Sequence, residues 1–151
     1  KTAALLAACA ELGAIAEQAD ERRAAFSRFG NALGLAFQAL DDVLGIWGDS
    51  ALTGKSAESD LVTGKKTLPV LFGLQKGGQF ARRWMSGEAI AVEEVPQLAA
   101  WLEDEGARAN TLAEADRYTS EALSALDEAA LPNDAGAALY ELSAQLLKRT
   151  Y

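Results

Sequence analysis

RRAAFSRFGNALGLAFQALDDVLGIW, running from Arg22 to Trp47, decides the fold. Apolar residues recur along it at 26, 29, 33, 36, 37, 40, 44 and 47. Gaps of three and four trace one face of a helix, because 3.6 residues complete a turn. Gly48 ends the pattern, and Asp49 to Gly64 has the Gly, Ser, Thr and Asp content of a loop. On the N-terminal side, Thr2 to about Ala19 reads as an alanine-rich first helix that stops where polarity rises at Asp20-Glu21. On the C-terminal side a third helix starts near Thr67, with Pro69 tolerated in its first turn, and stops at Gly77-Gly78. Further helices are predicted at about 79–86, 93–104, 108–130 and 134–150, punctuated by Gly87, Pro96, Gly106 and Pro132.

Composition agrees with this reading. Half of the 151 residues are hydrophobic, Ala and Leu dominate, and no β-branched run reaches strand length, so the class is all-α. The length is that of one domain able to bury a core. Fourteen basic against 22 acidic residues give a formal charge of −8, which opposes binding to nucleic acid or anionic lipid. Cys9 is the only cysteine, so there is no intrachain disulfide and no cysteine-rich zinc site. The lack of histidine excludes His-ligated metals and Ser/His or Cys/His triads. Glu11 and Glu17 interrupt the apolar start, so it reads neither as a membrane span nor as a secretory signal, and a cytoplasmic protein is expected. The chain opens inside a helical pattern without an initiator Met, which predicts a segment upstream of Lys1.

The chemistry lies at the end of the second helix and just after it. Asp41, Gly45 and Asp49 are spaced i, i+4, i+8, and Gln38 sits three and four residues before Asp41 and Asp42. Carboxylates at a helix C-terminus oppose the macrodipole by roughly a few tenths of a kcal/mol or more, unless a cation is present. Downstream come Lys55, Asp60 and the run Gly64-Lys65-Lys66-Thr67-Leu68-Pro69. Carboxylates hold Mg²⁺ through oxygen and lysines carry phosphate as point charges, so the stretch holds what a magnesium–diphosphate site needs. Singly, each of these charges reads as a solvated surface group, Phe37 as core and Gln38 as a surface amide; the ordered combination carries the reading. Trp84, Trp101 and Tyr118 read as packing residues, and Glu93-Glu94 and Glu103-Asp104-Glu105 as solvated helix faces.

The combination resembles the second half of the trans-isoprenyl diphosphate synthases, or polyprenyl synthetases. It matches through Phe37-Gln38-Ala39-Leu40-Asp41-Asp42, Gly48-Asp49, Gly54-Lys55, Asp60-Leu61 and Gly64-Lys65-Lys66-Thr67-Leu68-Pro69. Lys1-Thr2 also looks like the Lys-Thr that the family carries on an earlier helix facing the diphosphate. The resemblance implies a helical bundle of the isoprenoid synthase type, with residues 1–151 as the C-terminal portion of a single domain. It implies a Mg²⁺-dependent homodimeric prenyltransferase that condenses isopentenyl diphosphate with an allylic diphosphate and releases pyrophosphate. By the family pattern Asp41 is the main direct metal ligand, with Asp42 and Asp49 acting through bound water. Lys55 and Lys65 contact the allylic diphosphate, Lys1 and Thr2 stand on the diphosphate side, and Phe37 and Gln38 line the reaction cavity.

Two departures stand out. Gly45 occupies the place of the third carboxylate in the family's DDxxD, and no first aspartate-rich motif occurs in the 151 residues. That motif is expected upstream or on a partner chain. Two other readings share the bundle: a class I terpene cyclase, against which Lys55, Lys65 and the Gly-Lys-Lys-Thr-Leu-Pro run argue, and a noncatalytic subunit of a heteromeric synthase.

Overall fold

The computed structural model describes residues 1–48, 59–130 and 134–147. The described helices are α1 (Thr2–Ala16), α2 (Arg23–Trp47), α3 (Leu68–Lys76), α4 (Gln79–Trp84), α5 (Val95–Asp104), α6 (Ala107–Glu128) and α7 (Asp134–Leu147). Short 3-10 turns at Asp20–Arg22 and Val92–Glu94 precede α2 and α5. No strand occurs among the described residues, in keeping with the all-α expectation. None of these helices is long and apolar enough to cross a membrane. Helix α1 stops short of Ala19 because Gln18 turns to φ 55, while the Ala19 N–H closes back on the Ala14 carbonyl. Pro96, which has no N–H, stands in the first turn of α5, where none is needed.

Compact packing divides the described residues into two units, one drawn from 1–38 and 114–147 and the other from 39–113. In the first, Phe29, Ala32 and Leu33 of α2 bury against Ala122, Ala125 and Leu126 of α6, with Leu139, Tyr140 and Leu146 of α7 packed on them. Helix α1 lies antiparallel on the start of α2, and glycine sets how near it comes. A Cβ at Gly30 would stand 2.4 Å from the Leu6 carbonyl oxygen, and one at Gly34 would stand 2.4 Å from Ala3 Cα. Each step of four along α2 thus meets an earlier residue of α1, which brings Thr2 opposite Gln38. An Arg23–Glu11 ion pair at 2.7 Å ties the two helices at their other ends, and Arg28 pairs with Glu128 of α6.

The second unit has the larger side chains. Val43, Ile46, Leu61, Val70, Phe80, Val95, Leu98 and Leu102 are almost wholly buried in one cluster. Each such side chain stabilises by about 1.5–3 kcal/mol, against about 0–1 kcal/mol for an exposed ion pair, so the apolar cluster holds the end of α2 to α3, α4 and α5. Trp84 and Trp101 pack against it, in line with their reading as packing residues.

The reading of the later acidic clusters as solvated faces is corrected for two residues. Glu94 receives Arg83 Nε and Nη2, each at 2.8 Å, and the Ala91 N–H at 3.0 Å. The Arg83 hydrogen bonds, followed by the Ala91 N–H, hold its pKa down at about 2. Glu105 accepts the Phe80 N–H in the first turn of α4 at 3.4 Å. Neighbouring helix ends, which linear spacing does not display, supply these partners.

Candidate active site

Asp41 and Asp42 are successive residues on α2 and so point about 100° apart. Asp41 is exposed, whereas Asp42 is turned inward and buried. Asp42 Oδ2 accepts the Leu68 N–H at 2.8 Å. Leu68 is the first residue of α3, whose own N-cap, Thr67, makes no side-chain capping bond and whose next residue, Pro69, has no N–H to offer. A carboxylate from α2 therefore caps α3. The positive end of the α3 dipole offsets the unfavourable position of Asp42 at the C-terminal end of its own helix. For Asp42 the cation that the sequence reading calls for is supplied in part by a helix N-terminus.

The turn Ser59–Lys65 is fastened to the same end of α2. The Asp60 N–H donates to the Gly45 carbonyl at 3.1 Å, and Ser59 Oγ donates to the same oxygen at 3.5 Å. Within the turn, the Thr63 and Lys65 N–H groups donate to the Ser59 and Asp60 carbonyls, both at 3.0 Å. Asp60 is buried, and its Oδ1 receives Lys65 Nζ at 2.5 Å. This bond and its charge, with smaller contributions from Asp41 and Asp42, raise the Lys65 pKa above the usual lysine value, while partial burial opposes the shift. Lys65 is thus a fixed cation within the field of three carboxylates.

In the other unit, Thr2 Oγ1 donates to Gln38 Oε1 at 3.4 Å. Lys1 is exposed and Phe37 half-buried. The structure therefore brings Thr2 to Gln38 in one unit, and Lys65 into the field of Asp41 and Asp42 in the other. Asp49 and Lys55, the remaining sequence-predicted site residues, lie outside the described residues. The sequence reading gave Asp60 no role beyond its place in the motif. Its position five residues before Lys65, inside a loop rich in turn formers, was the available signal.

Among the described residues no three His, Cys, Asp or Glu side chains converge as a ready-made metal cage. The donors present are hard carboxylate oxygens beside a lysine. They suit Mg²⁺, which is bound through one or two carboxylates together with phosphate oxygens and waters.

The family model described as polyprenyl synthetase matches residues 1–101. A (2E,6E)-farnesyl diphosphate synthase of Mycobacterium bovis is 38% identical over 99% of this chain, which spans 44% of that relative. The crystal structure of a polyprenyl synthetase from Streptomyces coelicolor superposes with a TM-score of 0.85 at 37% identity, covering 97% of this chain and 47% of that one. A geranylgeranyl pyrophosphate synthase from Corynebacterium glutamicum, solved with calcium and isoprenyl diphosphate, aligns at 31% identity and a TM-score of 0.66 over 83% of this chain and 39% of its own. The chain spans less than half the length of these relatives. With Phe37 to Pro69 inside the matched region and the helices superposing as they do, the chain belongs to the polyprenyl synthetase family.

Proposed function

We propose that this chain is the C-terminal portion of a Mg²⁺-dependent prenyltransferase that joins isopentenyl diphosphate to an allylic diphosphate. The observation that carries the reading is the Lys65 ammonium, held by buried Asp60 with Asp41 and Asp42 adding to its field. A fixed cation beside carboxylates suits a diphosphate that arrives with a divalent metal. In the reaction the bond between the allylic carbon and the diphosphate oxygen breaks, and the electron pair leaves with the diphosphate. The double bond of isopentenyl diphosphate attacks the allylic cation, and loss of a proton gives a chain five carbons longer plus pyrophosphate.

Each residue has a defined part in this reading. Lys65 balances the negative charge that grows on the departing diphosphate, and Lys55, Lys1 and Thr2 are further diphosphate contacts. Asp41 would be the direct metal ligand, with Asp42 and Asp49 acting through water. A Mg²⁺ bound there would supply Lewis-acid stabilisation to the leaving group. Phe37 offers an aromatic face to the cation, and Gln38, its amide oxygen engaged by Thr2, offers a fixed dipole. The proposal includes a cytoplasmic homodimer. Leu5, Leu12 and Ile15 on α1, 66%, 62% and 42% exposed, support a covered helix face, and light scattering on the full-length polypeptide tests it.

The deciding experiment incubates the full-length polypeptide with Mg²⁺, isopentenyl diphosphate and a panel of allylic diphosphates, with products identified by mass spectrometry. Products longer by five-carbon units, abolished in Asp41→Ala, are expected. Cyclic hydrocarbons or alcohols released with pyrophosphate would overturn the synthase reading in favour of a cyclase.

A further inference from the structure

We infer that Asp60 is a positioning residue for Lys65, and that Gly45 is the seat on α2 that lets it act; the inference rests on the reading of Lys65 as a diphosphate contact. A Cβ at Gly45 would stand 2.2 Å from Asp60 Oδ2 and 2.7 Å from its Cγ. The Asp60 carboxylate fills the space that any other residue at 45 would claim. It has little room to withdraw, because the Asp60 N–H is bonded to the Gly45 carbonyl itself. The two carboxylate oxygens divide their tasks: Oδ2 lies against Gly45, and Oδ1 receives the Lys65 ammonium.

Lys65 is held twice by the same residue, through its main-chain N–H on the Asp60 carbonyl and through its ammonium on the carboxylate. The lysine side chain is 61% exposed and the aspartate side chain only 10%. An exposed lysine left to itself explores many rotamers, and fixing one costs side-chain entropy. Asp60 meets that cost before any ligand arrives. Of the three ammonium donors it takes one, and its burial leaves the lysine head facing outward. A glycine inside α2 is destabilising relative to alanine, and the close approach of Asp60 accounts for its presence. The place where the resembled motif has its third carboxylate is thus taken by the carboxylate of Asp60, reaching in from the turn.

The test reads Lys65 directly. In the full-length protein, amine acetylation rates at individual lysines are followed by mass spectrometry, with Lys76 as the internal control, and Mg²⁺-pyrophosphate affinity is measured by calorimetry. Gly45→Ala and Asp60→Ala are expected to raise Lys65 labelling by about fivefold, the ceiling for a pair whose lysine is mostly exposed, with Lys76 unchanged. Asp60→Asn, which keeps shape and an acceptor, is expected to fall between Asp60→Ala and the parent, and it decides the matter if either alanine variant also raises Lys76. Lys65→Ala and Asp60→Ala are each expected to weaken pyrophosphate binding, Lys65→Ala by about tenfold, and the double variant no more than Lys65→Ala alone. Gly45→Asp, which restores the motif carboxylate on paper, is expected to behave like Gly45→Ala or worse.

Unchanged Lys65 labelling in Gly45→Ala and Asp60→Asn would overturn the inference, as would additive affinity losses for Asp60 and Lys65. If labelling rises as stated while Lys65→Ala leaves pyrophosphate affinity unchanged, the Gly45–Asp60–Lys65 coupling stands and the assignment of Lys65 to the diphosphate fails.

Discussion

Replacing Asp42 separates its part in the fold from its proposed part in the chemistry. Its Oδ2 accepts the Leu68 N–H at 2.8 Å, and the first turn of α3 has no cap of its own. Asp42→Ala removes the Leu68 hydrogen bond to a charged acceptor, worth about 1.5–3 kcal/mol. The same bond counted as a helix cap is worth about 0.5–2 kcal/mol, and because these are two views of a single contact they do not add. About 2 kcal/mol is the expected loss. Asp42→Asn keeps an oxygen for Leu68 and loses the charge, which at the helix N-terminus is worth about 0.3–1 kcal/mol. Urea unfolding of the full-length protein, compared at constant m-value, reads the two costs. Turnover should follow a different order, since an amide in place of the carboxylate recovers the cap without recovering a metal-linked charge. Equal destabilisation by Ala and Asn, or a loss under about 0.5 kcal/mol for Ala, would refute the capping role.

Three further perturbations follow from the same geometry. Gly34→Ala drives a methyl into the Ala3 backbone, so overpacking of about 1–3 kcal/mol outweighs the helix gain; Gly13→Ala, with nothing within 4 Å of its Cβ, should instead stabilise by about 0.5–1 kcal/mol. Both are read from thermal midpoints. The Glu94 pKa lies at about 2, below the ordinary glutamate value of 4.5, so the Arg83–Glu94 contribution is complete above about pH 4.5 and is lost as pH falls toward 2. In Arg83→Met the urea midpoint should lose this pH dependence. Thr67 Oγ1 is buried without a hydrogen-bond partner, so Thr67→Val, which removes the hydroxyl and keeps the shape, should leave the unfolding free energy unchanged or raised by about 1 kcal/mol.

Helices were legible where one face repeats. The spacing from Phe26 to Trp47 predicts α2 almost to its ends, and Pro69 and Gly77 mark the limits of α3. Endings that depend on a single backbone angle were not legible: Gln18 breaks α1 before Ala19, yet glutamine at that place carries no stop signal. The partners of Glu94 and Glu105 were hidden for another reason. Each helps to fasten α4 to its neighbours through a residue distant in sequence, and a list of charges along the chain does not say which helix end will arrive beside them.

At the site the residue types were legible and their division of labour was not. Asp41 and Asp42 look equivalent in the sequence, but the helical turn between them leaves one exposed and sends the other to cap α3. Gly45 shows the same limit more sharply. Beside a DDxxD pattern it reads as a lost carboxylate, tolerable if that position acts through water and costly to magnesium affinity if it coordinates directly. In the folded chain the missing side chain is the space that Asp60 occupies, and Asp60 holds the Lys65 ammonium, the proposed diphosphate contact. A carboxylate at 45 and one at 60 would compete for a single volume and repel each other there. The glycine and the aspartate are therefore best understood as one feature, and changing either should move the same lysine.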